Sequence, residues 1–315
     1  PILALIVAFS ALSGPAGSVD AIIGFRAGWG LGNALFISTA LAAIVGAAAG
    51  HAGQAVILYE AAIGVGMAVG PLVGGVLGEI SWRAPFYGTA VLMAAGFIAI
   101  ATLLAKAERK PEPVALTAGL AAAKDPALLT LGVVAFFYNF GFFTLLAYSP
   151  YPIEEAAALS GSNFGATELG YVFFGWGLAL AVSSVFIAPR LTRAFGLIPV
   201  VVAVLLGFSA VLAGLGFGAH RLGVVVVLVI LAGFFSGVFN TVLTEAVMEA
   251  TEMPRNVASS SYSGMRFLGG AVAPAVSGPL AASLGAGVPY WFGAGSLVVS
   301  LLILFAGRKT LHRIL

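Results

Sequence analysis

Arg26, Glu245 and Arg266 stand inside long apolar stretches, with Glu249 just past the end of one, and the first three could handle charge or protons there. Arg26 lies in "FRAGWGLGNAL", Glu245 and Glu249 in "TEAVMEA", and Arg266 in "GMRFLGGAVAP". A carboxylate in apolar surroundings can take up and release a proton, and a nearby arginine can hold it charged. Glu245 and Glu249 are four apart, hence on one face of a helix. A pair between Glu245 and Arg266 is expected across neighbouring helices, as a gate or as a structural clasp. Arg26 is either an interfacial anchor that snorkels or a group facing a cavity. Glu60 has the same two readings, and Asp20 is expected on the external rim.

A second cluster is aromatic. The stretch "FFYNFGFF", Phe136 to Phe143, holds five phenylalanines with Tyr138 and Asn139. It either packs against lipid and other helices or walls a cavity for flat or cationic compounds. In the second case Phe136 and Phe140 supply apolar and cation–π contact, Tyr138 and Asn139 add polar groups, and Asn240 is a partner on another run. Other chemistry has little support. There is no cysteine, and His51, His220 and His312 show no metal-ligand spacing. Ser259, Ser260 and Ser261 have no histidine nearby, and no phosphate-binding lysine loop occurs. No enzyme, metal or cofactor is expected.

The elements that position these groups must be membrane helices. The chain is 315 residues long, 61% hydrophobic and 8% charged, against about 25% charged in an average soluble protein. Runs of roughly 20 apolar residues give ten spans, at about 1–12, 20–44, 55–78, 85–105, 127–150, 168–189, 196–217, 222–247, 257–283 and 288–307. Of the 14 basic residues, most fall in alternate loops on one side: Lys106, Arg109, Lys110 and Lys124, then Arg190 and Arg193, then Arg255, then Arg308, Lys309 and Arg313. Only Arg83 and Arg221 fall in the opposite loops. The richer side is expected to be cytoplasmic. Residues 111–126 form the expected linker between an N-terminal bundle, 1–110, and a C-terminal bundle, 127–315.

The third span carries "GMAVGPLVGGVLGE", in which Gly66, Gly70, Gly74 and Gly78 recur at every fourth position. Such a stripe is expected to admit another helix closely, with Pro71 permitting a bend. Aligning Pro71 with Pro274 also matches Gly66 with Gly269 and Gly75 with Gly278, at an offset of 203 residues. The preceding span pairs Gly28 with Gly233 and Gly32 with Gly237, at an offset of 205. Duplicated halves are expected. By that count the complete protein has twelve spans, and this chain, opening at Pro1, holds helices 3 to 12.

Three motifs resemble those of the major facilitator superfamily, and within it the twelve-helix drug:proton antiporters. "GMAVGPLVGG" is similar to the antiporter motif of helix 5, followed by "WRAPF" from Trp82 to Phe86. "FRAGWGLGNAL" is similar to the helix 4 motif with an intramembrane arginine. "APRLTRAFG", Ala188 to Gly196, resembles a second-half copy of the cytoplasmic loop between helices 2 and 3.

The resemblance implies an all-α membrane protein of two pseudo-symmetric six-helix bundles that expose a central cavity to each side in turn. Its implied activity is export of hydrophobic or cationic small molecules in exchange for protons, driven by the proton gradient without a cofactor. Arg26, Glu245 and Arg266 become candidates for proton coupling, and Gly66, Gly70, Pro71, Gly74 and Gly75 for the gate. The alternative is an uptake symporter for a sugar or organic acid, which would call for more polar groups within the spans. The expected setting is the cell membrane, with a small-molecule substrate, protons and lipid as partners. Cytoplasmic termini, a monomer and no nucleic acid complete the expectation.

Overall fold

The computed structural model describes residues 2–47, 52–103, 122, 124–253, 255–311 and 314. Helices occupy all ten expected spans: α1 Ile2–Ser13, α2 Val19–Ala47, α3 Ala52–Ile80, α4 Ala84–Leu103 and α5 Pro126–Tyr148. After a short α6, Pro150–Leu159, come α7 Ala166–Val182, α8 Ala188–Phe195, α9 Leu197–Gly218, α10 Leu222–Ala250, α11 Arg255–Leu284 and α12 Val288–Ala306. Among the described residues seven helical stretches are long and apolar enough to cross a membrane, and Ile2–Ser13 and Val65–Ile80 are shorter apolar helices. The side chain of Glu60, most of the stretch 111–126, and His51 and His312 lie outside the described residues.

Two departures from a plain ten-span reading have local causes. Pro150 lacks an N–H and starts a new helix directly after α5, so the connection that follows is helical over Pro150–Leu159. The segment Ser183–Ile187 joins α7 to α8 as a π-helix, a rare wide turn that occurs mostly as a single turn within α-helices. The expected loop around "APRLTRAFG" is therefore helical. Arg193 Nε donates to the Pro189 carbonyl at 3.0 Å, and Gly196, at φ +84°, ends the helix in a conformation that favours glycine.

The chain divides into two compact units. Unit 1 is Pro1–Pro113 with Gly165–Tyr171, and unit 2 is Val114–Phe164 with Val172–Leu315. The short segment Gly165–Tyr171, expected with the C-terminal bundle, clusters instead with unit 1. The reason is close packing on α3, where a Cβ at Gly170 would lie 2.9 Å from the Pro71 carbonyl oxygen.

Unit 2 is built around α5, which α11 and α12 flank most extensively. Asp125 caps it, its carboxylate accepting from the Ala127 and Leu128 N–H groups at 2.9 and 3.0 Å, with Pro126 at the first turn. Lipid offers no hydrophobic drive for helix association, so small residues and hydroxyls supply the contact. Ser300 and Ser296 of α12 donate to the Val134 and Phe137 carbonyls at 2.8 and 2.9 Å. Tyr290 donates to Ser149 at 2.9 Å. Gly269 brings α11 onto the α5 backbone at Phe136, and Gly233 and Gly237 bring α10 onto the backbone at Trp176 and Leu180.

Candidate functional site

The polar centre of unit 2 is assembled from three helices. Arg266 on α11 donates through Nε to Asn139 Oδ1 on α5 at 3.4 Å, and through Nη2 to Asn240 Oδ1 on α10 at 3.1 Å. Asn139 is fully buried, and its amide nitrogen donates to the Ala135 carbonyl at 3.1 Å. That bond fixes the amide so that its oxygen meets the guanidinium. Arg266 is half-buried, as are Phe136 and Phe140 on α5. Its guanidinium carbon lies 5.6 Å from the centre of the Phe267 ring.

The expected pair between Glu245 and Arg266 is not formed among the described residues. Depth explains this. Arg266 is eleven residues from the start of α11, about 16 Å along a helix rising 1.5 Å per residue. Asn240 is ten residues from the end of α10, about 15 Å from the same side, so the two meet. Glu245 is only five residues from that end. It is exposed, as is Glu249.

Tyr138 is not on an open wall. It is 1% exposed and stacks on Phe239 at 3.7 Å between ring centres, with Phe208 at 5.7 Å and Phe142 at 5.9 Å. Its hydroxyl turns towards Ser236 without a hydrogen bond of good geometry. The aromatic run thus divides by helical periodicity. Tyr138 and Phe142 point into the core, and Phe136, Phe140 and Phe143 lie on the half-open face. Arg26, seven residues into α2, is exposed and lies over the Trp29 ring at 4.1 Å.

In unit 1 the glycine motif divides in the same way. Gly66, Gly70 and Gly74 have no neighbour within 4 Å of an added Cβ among the described residues. They line an apolar groove of about 740 Å³ with Pro85, Gly88 and Leu92 of α4. The close approach runs instead through Pro71 and Gly75, one residue further round the helix, against Ala166 and Gly170 of α7. Gly66, Gly70 and Gly74 of the fourfold stripe therefore line this groove, whereas Gly78, its fourth member, joins the close contact, an added Cβ there lying 3.1 Å from the Ala166 Cβ, and Gly75 is buried.

Glu79 was not singled out from the sequence. Its carboxylate accepts from the Thr167 N–H at 3.2 Å, while Glu168 accepts from the Gly165 N–H at 2.8 Å. Together they cap the start of α7. The signal was "GATE", Gly165 to Glu168, a capping box with glycine where serine or threonine usually stands.

Membrane-length helices, duplicated glycine–proline motifs and a polar centre inside the spans define a multi-pass helical membrane protein. The chain belongs to the major facilitator superfamily: residues 2–160 match the family described as Major Facilitator Superfamily. It is 46% identical over 309 residues to a protein of Bacillus subtilis (strain 168) named multidrug efflux protein YfmO, covering 98% of this chain and 76% of the relative. It is 29% identical over 142 residues to the class C tetracycline resistance protein of Escherichia coli, covering 44% of this chain and 36% of that protein. Among solved structures, the human organic anion transporter MFSD10 (TETRAN) superposes with a TM-score of 0.68 at 19% identity, covering 96% of this chain and 75% of that one. An identity that low speaks for the fold alone.

Proposed function

We propose that this protein is a secondary active transporter of the cell membrane that exports hydrophobic small molecules in exchange for protons by alternating access. The observation that carries the reading is the 46% identity to the Bacillus subtilis multidrug efflux protein over 98% of this chain. The geometry agrees with it. A polar centre at mid-span is costly and marks a substrate or ion pathway, and Phe136 and Phe140, on the same helix as Asn139, are half-buried and offer apolar contact.

In this account Glu245 carries protons near the cytoplasmic end of α10, with Arg26 and Arg266 setting the charge of the pathway. Cationic substrates, if exported, meet the carboxylates of Glu245 and Glu249. Pro71 and Gly75 form the gating contact with Gly170, and Gly66, Gly70 and Gly74 leave α3 free to bend. The protein acts as a monomer, with its termini in the cytoplasm and the proton gradient as its energy source.

The test uses inside-out vesicles with an acid interior and a fluorescent pH probe, with empty-vector vesicles as control. Ethidium and neutral lipophilic compounds are added in turn. Loss of the gradient on addition, absent from the control, is the expected result. No response to a broad panel, from protein shown to be inserted and folded, counts against the reading.

A further inference from the structure

A guanidinium presents five N–H donors in one rigid plane. At Arg266 two are engaged, Nε–H by Asn139 and one Nη2–H by Asn240. Both acceptors are neutral amides. Among the described residues no carboxylate lies within ion-pair distance of Arg266, and the remaining N–H groups, including both on Nη1, meet no acceptor. The two asparagines therefore hold the plane of the guanidinium without cancelling its charge.

Roughly 16 Å into the helix, an uncompensated cation is expensive, and what offsets that cost is an anion. The unused end of the guanidinium matches the two oxygens of a carboxylate, a geometry a lysine ammonium does not offer. The same position repels cations. Gly269, less than one turn beyond Arg266, draws α11 onto the α5 backbone at Phe136. The guanidinium thus bonds to Asn139 on the stretch of α5 that also carries Phe136 and Phe140, both half-buried.

We propose that Arg266, oriented by Asn139 and Asn240, recognises a carboxylate on an amphiphilic substrate whose apolar body lies against Phe136 and Phe140. This narrows the export reading above and rests on it.

The test is direct binding to the purified full chain in lipid nanodiscs, followed by fluorescence with two probes that differ in charge alone, pyrenebutyrate and its neutral amide. Wild type is expected to bind the carboxylate at least about tenfold more tightly than the amide, the range of a charged hydrogen-bond pair. Arg266→Gln is expected to bind the two within about twofold, and Arg266→Lys to keep part of the preference. Asn240→Asp puts a carboxylate on the guanidinium and is expected to remove the preference with the arginine still present. It also serves where Arg266→Gln fails to fold.

Equal binding of the two probes by wild type, or a preference that survives both Arg266→Gln and Asn240→Asp, overturns the proposal. Transport of both probes is measured in proteoliposomes of the same preparation. Export of the amide with no carboxylate preference in binding overturns this inference and leaves the export reading standing. An Arg266-dependent preference in binding with neither probe transported supports recognition at Arg266 and overturns the export reading.

Discussion

Arg266 and Asn240 meet at 3.1 Å because two antiparallel helices bring them to nearly the same depth from one membrane face. The contact binds α11 to α10 where Glu245, about one and a half turns nearer the surface, cannot. Asn240→Ala is expected to leave an Nη2–H without an acceptor and cost about 1–3 kcal/mol, seen as a lower unfolding temperature in detergent. Glu245→Gln is expected to leave that temperature nearly unchanged and to act on transport.

Tyr138 provides a second contrast. It stacks within 3.7 Å of Phe239 and its hydroxyl makes no hydrogen bond of good geometry. Tyr138→Phe is therefore expected to be neutral or slightly stabilising and to leave transport unchanged. Tyr138→Ala is expected to cost about 3–5 kcal/mol through the cavity it leaves. A selective loss of transport in Tyr138→Phe would instead place the hydroxyl on the substrate path.

At Gly170 and Gly75 in unit 1 an added Cβ would meet backbone. A Cβ at Gly170 would lie 3.3 Å from the Gly75 Cα and 3.4 Å from the Leu72 Cα, and all the near atoms are backbone, which cannot step aside as a side chain can. Gly170→Val and Gly75→Val are each expected to cost about 1–3 kcal/mol by overpacking and to depress transport with them. Gly30→Ala, with nothing within 4 Å of the added Cβ among the described residues, is expected to gain up to about 1 kcal/mol from helix propensity. Thermal unfolding and transport of the three variants decide the matter.

These contrasts mark what the amino-acid order revealed and what it did not. Apolar runs of membrane length gave the spans, because a helix must satisfy its own backbone in lipid. The glycine motif pointed to α3, where Gly75 and Gly78 meet α7 closely and Gly66, Gly70 and Gly74 line a groove within unit 1. Recurrence at every fourth residue names a stripe, and in lipid both the packed and the open side of a helix are apolar, so composition does not tell them apart. The Glu245–Arg266 pairing failed for a similar reason. Opposite charge suggested partners, whereas depth along each helix selected Asn240 and Asn139, two uncharged residues already in view as cavity candidates. For Tyr138 the stretch "FFYNFGFF" leaves both readings open, packing and cavity wall, because aromatics around most of the helix do not set its rotation.

The membrane orientation is open to a direct check, since the chain contains no cysteine and single cysteines can be introduced without background. Ser162→Cys, in the exposed connection after α6, is expected to react with an impermeant maleimide in intact cells. Arg193→Cys, exposed near the end of α8, is expected to react only after permeabilisation. The reverse pattern would invert the topology read from the basic loops.

The coupling of substrate to protons is tested most directly in proteoliposomes at equal pH on both sides, loaded with a transported compound and a luminal pH dye. When the compound is diluted from the outside, its efflux through the protein is expected to draw protons inward and acidify the lumen, with no change in protein-free liposomes. Efflux at the same rate with luminal pH unchanged would contradict proton exchange and leave a facilitator that lets its substrate run down its own gradient.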